Sequence, residues 1–149
     1  MNTAKPRIPY WHVWTDAGGV SRQTRCEMTE FELASISPPA TPQWLGAKTA
    51  APAAISVTVL PPGWVGDWHE NPKPQWIIPL SGRWFVETQD GQRVEMGPGE
   101  ISFGEDQGTR AGAGGRKGHL SGTVGPAPCV LMLVQLEDGP RPASPCRFP

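Results

Sequence analysis

Short apolar runs recur along this chain, and almost every one is stopped by glycine or proline. AAISVTVL (Ala53 to Leu60) places Ile55, Val57 and Val59 on one face at the two-residue period of a strand, and PPGW ends it. QWIIPLSG ends in a Ser-Gly turn. RWFVETQDGQRVEM then reads as a hairpin closed on Asp90-Gly91, a pair whose positive φ angles suit a tight turn. YWHVWT (Tyr10 to Thr15), RQTRCEMTEFEL, GPGEISFG, HLSGTVG and CVLMLVQLE follow the same pattern. The 18 glycines and 18 prolines therefore act as punctuation between strands and form no low-complexity tract. Helical periodicity is nearly absent, so no helices are available to cover a parallel sheet. The chain is expected to be all-β, a sandwich or a barrel.

At 149 residues the chain suits one domain. Its 13 basic and 14 acidic residues give a net charge of −1, with the basic residues scattered apart from GGRKGH. That balance points to no nucleic-acid partner and no membrane anchor. No segment approaches the roughly 20 apolar residues of a membrane span, and the N-terminus has no apolar run of signal-peptide type. Cys26, Cys129 and Cys146 are an odd set without C-x-x-C spacing. They suggest neither a disulfide framework nor a zinc knuckle, and a reducing cytoplasm is the expected compartment. Residues 1–9 read as a flexible N-terminus, 10–136 as the domain and 137–149 as a loose Pro-rich tail. Ser37 to Ala51 reads as extended, and the glycine-rich stretch between Phe103 and His119 as a long loop or lid.

Gly63 begins a more specific pattern. Five residues on comes His69, then Glu70 and Asn71, three residues to Gln75 and six more to Gly82. This resembles the first motif of the cupins, G-x5-H-x-H-x3/4-E-x6-G, in every spacing, with Asn71 in place of the second histidine and Gln75 in place of the glutamate. EMGPGEISFGED resembles the start of the second motif. A strict count would put its histidine near Arg110. GEDQ…GRKGHLS is similar instead to a subgroup of small, single-domain, RmlC-like cupins with a longer G-x-K-G-H loop, which assigns the histidine to His119.

The resemblance, over roughly Tyr10 to Leu136, implies a cupin jelly-roll β-barrel (a double-stranded β-helix), a homodimer, and a small-molecule pocket inside the barrel. It also implies a divalent transition metal (Mn, Fe, Ni or Zn) on His69, Gln75 and His119, and no nucleotide cofactor. Amide oxygens are weak ligands for such ions, and the site lacks its usual anionic charge. Asp67, of the same strand parity as His69 and Asn71, and Glu105 or Asp106 at the end of the second-motif strand are the candidate replacement carboxylates. Asn71, Asp67 and Glu105 are the expected substrate-pocket residues, and Glu70 is expected at the surface. Trp76 and Trp84 share parity with Ile78 and Val86 and are expected to face away from the site.

Three functions are weighed, and the first, with the metal on His69, Gln75 and His119, is the expected one. In the first, a metal-dependent enzyme acts on a small polar metabolite. In the second, a metal-free lyase, dehydratase or isomerase uses His69 or His119 as acid or base. The third is a binding module without catalysis.

Overall fold

The computed structural model describes residues 4–137, 139 and 143–149. Among the described residues, eleven strands and one 3-10 turn (Ala113–Gly115) make up the regular structure: β1 (Ile8–Thr15), β2 (Ser21–Met28), β3 (Phe31–Ala34), β4 (Gln43–Gly46), β5 (Ala53–Leu60), β6 (Gln75–Ser81), β7 (Arg83–Thr88), β8 (Arg93–Met96), β9 (Ser102–Glu105), β10 (His119–Val124) and β11 (Cys129–Leu136). Among the described residues no helix is long and apolar enough to cross a membrane.

A six-stranded sheet runs β2-β1-β9-β6-β11-β5, and a three-stranded sheet runs β10-β7-β8. All pairings are antiparallel except β1 with β9. The two sheets make an all-β fold, as the alternating runs predict, in the jelly-roll arrangement that the cupin resemblance implies. Val13, Ile77 and Leu131 from the larger sheet meet Trp84, Val86, Val94 and Met96 from the smaller in one apolar core. Gln23 joins the sheets at one edge, its Nε2 donating to the carbonyls of Val86 and Gln92 at 3.0 and 3.1 Å.

The motif glycines are conformational requirements. Gly63 and Gly82 have φ of +72° and +74°, and a Cβ on Gly82 would lie 2.2 Å from the Pro128 carbonyl oxygen.

Three expectations are corrected. Ser37 to Ala51 is not merely extended, since Gln43–Gly46 pairs with Phe31–Ala34 as a separate two-stranded ribbon. Ile55, Val57 and Val59 alternate as predicted but lie on the edge strand, 69, 58 and 54% exposed, so their period marks a strand without marking a core. Trp84 is 3% exposed in the core, on the face of its sheet that His119 shares through the Thr88 and Trp84 registers. Parity counted from Gln75 does not carry across the left-handed Gly82 turn. The C-terminal residues 143–149 are docked, with Cys146 disulfide-bonded to Cys26. That bond removes the ground on which a reducing compartment was expected.

Candidate functional site

Residues 66–71, strand β10 and the turn after β9 meet at one end of the barrel. His69 and His119 exchange backbone hydrogen bonds of 3.0 and 2.9 Å across an isolated antiparallel bridge. The close approach depends on Gly118, at φ +68°, where a Cβ would lie 2.2 Å from the His69 carbonyl oxygen. The two imidazole rings are 4.7 Å apart between centroids and inclined at 52°. His119 is buried, while His69 is exposed.

Each ring is fixed through Nδ1. His69 Nδ1 lies 2.7 Å from the Asp67 carbonyl oxygen, which can only accept, so the proton is on Nδ1. His119 Nδ1 lies 2.6 Å from Asp106 Oδ2. In both rings this leaves Nε2 to face a ligand.

Asp106 is fully buried. Its Oδ1 accepts from the backbone N–H of Asn71 at 3.0 Å and from Asn71 Nδ2 at 2.6 Å. Burial is the largest influence and favours the neutral acid. The adjacent His119 imidazole and the Asn71 donors oppose it and together hold the carboxyl below its ordinary 3.8. The network continues inward: Gln75 Nε2 donates to Asn71 Oδ1 at 2.7 Å, and Gln135 Nε2 donates to Gln75 Oε1 at 3.3 Å. Gly104, opposite Gln75 in the register, leaves the space Asn71 occupies, since a Cβ there would be 2.3 Å from Asn71 Nδ2.

The other expected residues fall elsewhere. Asp67 is exposed and contributes its carbonyl to His69. Glu105 points to the opposite face of the sheet from Asn71, where it pairs with His12 (3.1 Å) and with Arg147. The strand alternation that aims Gly104 at the site aims Glu105 away from it. Asp106, just past the strand end, takes the inward position. Glu70 is no bystander: its Oε1 accepts from Thr109 N at 2.9 Å and Thr109 Oγ1 at 2.6 Å. Gly118 N donates to Thr109 Oγ1, and Gln89 Nε2 donates to the carbonyls of Arg110 and Arg116. The glycine-rich loop is therefore clamped at its base, with residues 110–117 exposed beyond it. Trp76 does face away from the site, against Tyr10, Phe103 and Phe148.

A transition metal needs several converging donors and usually a compensating anion. The imidazoles meet part of that need, because each gives Nδ1–H to an acceptor as metal-bound histidines do. The remaining donors do not. Both ends of the Gln75 amide are hydrogen-bonded, Asn71 is held between Gln75 and Asp106, and Asp106 already accepts three hydrogen bonds. Among the described residues no group of three or more His, Cys, Asp or Glu side chains is arranged to hold a metal ion. Two imidazoles beside two engaged amides do not fit a resident divalent transition metal.

Among solved structures, the chain is similar to a cupin superfamily protein from Desulfitobacterium hafniense DCB-2, at 15% identity and a TM-score of 0.41 over 62% of this chain and 73% of that one. No family model and no curated protein matches the chain.

Proposed function

We propose that the chain is a small cupin whose metal site has become a metal-independent acid–base site, acting on a small polar metabolite as an isomerase, dehydratase or lyase. The observation that carries this reading is the 2.6 Å contact between His119 Nδ1 and the buried, ionised Asp106 carboxylate. Asp106 fixes the tautomer that leaves the Nε2 lone pair free. It also stabilises the imidazolium formed when Nε2 takes a proton from a carbon next to a carbonyl or from a hydroxyl. His69, its ring 4.7 Å away and held through Asp67, is placed to return a proton to the product or to a leaving hydroxyl when its Nε2 is also protonated, and to regain that proton from solvent at its exposed position. Asn71, Gln75 and Gln135 act behind the reacting groups by keeping Asp106 oriented and ionised.

The reading can be tested without knowing the substrate. The chain is incubated in D2O with a panel of small hydroxy acids, keto acids and sugars, and deuterium incorporation or product formation is followed by NMR. Turnover should persist after exhaustive treatment with a chelator. It should vanish in His119→Gln and fall by about 10²- to 10⁴-fold in Asp106→Asn. Turnover undiminished in a folded His119→Gln variant overturns the assignment.

A further inference from the structure

On the outer face of the six-stranded sheet, away from His119, an apolar cleft of about 420 Å³ lies between the β3–β4 ribbon and the C-terminal segment. Met28, Phe31, Trp76, Ile78, Ile101 and Phe148 line it, with Pro149 beside Phe148. One wall is thus made by the last residues of the chain, and several side chains hold that wall in place. Cys146 is bonded to Cys26. The Cys146 N–H donates to His12 Nδ1 at 3.0 Å, and Arg147 pairs with Glu105. Phe148 N donates to the Tyr10 hydroxyl at 2.9 Å, and that hydroxyl donates to the Phe148 carbonyl at 3.1 Å. The Phe148 ring packs edge-on to Phe103 and Tyr10 and tilted against Trp76.

The cleft has the size and apolar lining of a small-molecule site. Its charged side chains are one carboxylate, Glu30, and one ammonium, Lys48, which offset one another and leave no side-chain charge for an ionic ligand to complement. Phe31, Trp76 and Phe148 offer ring faces and edges suited to an aromatic partner. We propose that this cleft binds a small, neutral, aromatic molecule, and that the Cys26–Cys146 bond keeps its C-terminal wall in place, so that reduction of the bond releases the ligand.

The reductant is a dithiol. Cys26 is 3% exposed and Cys146 is exposed, so the incoming thiolate attacks the Cys146 sulfur and expels the Cys26 thiolate, which takes up a proton. The second thiol of the reductant then resolves the mixed disulfide. Two electrons and two protons pass to the chain, giving two cysteine thiols, and the reductant leaves as its own disulfide. Without the cross-link, the segment must hold its place through the Arg147, Phe148 and His12 contacts alone, against its own chain entropy.

The probe is N-phenyl-1-naphthylamine, neutral and fluorescent on entering an apolar site, titrated into the full oxidised chain. Saturable one-to-one binding is expected. Dithiothreitol should weaken it at least 10-fold, and reoxidation should restore it. Cys146→Ser should behave as the reduced chain does. Ile78→Lys, which places a charge in the cleft from a partly exposed strand position, should abolish binding in either redox state. His119→Gln should leave binding unchanged, which separates this site from the acid–base site. If far-UV circular dichroism shows that reduction unfolds the chain, Phe148→Ala decides the matter: it keeps the disulfide, removes the wall and should lose binding. No saturable binding to the oxidised chain, equal affinity in folded oxidised and reduced chains, or undiminished affinity in Ile78→Lys or Phe148→Ala would each overturn the proposal.

Discussion

Gln75 donates from Nε2 to Asn71 Oδ1 at 2.7 Å, and Asn71 donates onward from Nδ2 to Asp106 at 2.6 Å. The two residues that depart from the cupin pattern are therefore partners of one another. A glutamate at position 75, when ionised, could not donate to the Asn71 oxygen, and a neutral histidine at 71 would hold its one donor and one acceptor on separate ring nitrogens instead of on a single amide group. The two amides form a consistent pair: they make a relay whose end point is the carboxylate beside His119.

Placing a histidine and a glutamate at these two positions should create a metal site. With Asn71→His and Gln75→Glu together, the end of the barrel gains one imidazole and one carboxylate beside His69 and His119. Calorimetric titration of chelator-stripped protein with Ni²⁺ or Zn²⁺ should show the double variant binding more tightly by at least the roughly 10- to 100-fold that outer-shell partners alone control. Equal affinity in the original chain and the double variant would mean that the amides already serve as ligands.

Asp106 makes stability depend on pH in a defined direction. Its folded-state pKa lies below the ordinary 3.8, so its contribution is fully present above that value and is lost as pH falls through the lower, folded value. Asp106→Asn should remove this acid-side dependence. At neutral pH it should also cost about 1.5–3 kcal/mol, as losing a hydrogen bond to a charged group does, because His119 Nδ1 loses its anionic acceptor. Urea unfolding at pH 7 and between pH 2 and 4 measures both effects. A variant whose stability falls in acid in parallel with the original chain would show that Asp106 is not the group responsible.

The strands were legible because their signals are local. Alternation, Asp90-Gly91 and the Gly63 and Gly82 turns all act within a few residues, and β5 to β8 lie where the runs end. The β4 strand was hidden because Gln43–Gly46 has no alternation of its own and pairs with the β3 residues at the end of RQTRCEMTEFEL. At the site, motif spacing named His69 and His119 but could not choose among the nearby carboxylates. That choice turns on which residue follows the last pleat of β9. Glu105 is still in the strand and points outward, whereas Asp106 has left it. The role of Glu70 escaped parity counting for a related reason, since it bonds Thr109 in a loop 39 residues away. The disulfide was the least legible feature, because Cys26 and Cys146 are 120 residues apart and neither has a spacing signature.

Two glycines should be intolerant of a methyl group for different reasons. Gly104→Ala places a Cβ 2.3 Å from Asn71 Nδ2, so the amide must move and Asp106 loses a donor. Gly118→Ala combines a 2.2 Å approach to the His69 carbonyl oxygen with a φ of +68°. Overpacking of this kind costs about 1–3 kcal/mol, and the left-handed backbone adds about 1–2 kcal/mol at position 118. Chemical denaturation should rank Gly118→Ala as the less stable of the two. Gly63→Ala, with open space around its Cβ, should show the backbone cost alone. Equal losses at all three positions would mean that the close contacts relax freely.

The Cys26–Cys146 bond should set much of the chain's resistance to unfolding. It closes a loop spanning 120 positions, nearly the whole domain, and thereby restricts the unfolded chain far more than the folded one. The chain-entropy relation gives about 4.7 kcal/mol for a loop of roughly 100 residues, and native contacts that persist after reduction do not diminish it, because the effect lies in the unfolded state. Cys146→Ser should therefore lose about 3–5 kcal/mol in urea unfolding. The loss should equal that of the original chain under dithiothreitol, and dithiothreitol should do nothing further to the variant. Cys129, buried and unpaired, provides the control: Cys129→Ala should lose stability through the cavity it leaves and keep the full response to reductant. A chain whose midpoint is unmoved by dithiothreitol would show that the bond does not form in solution.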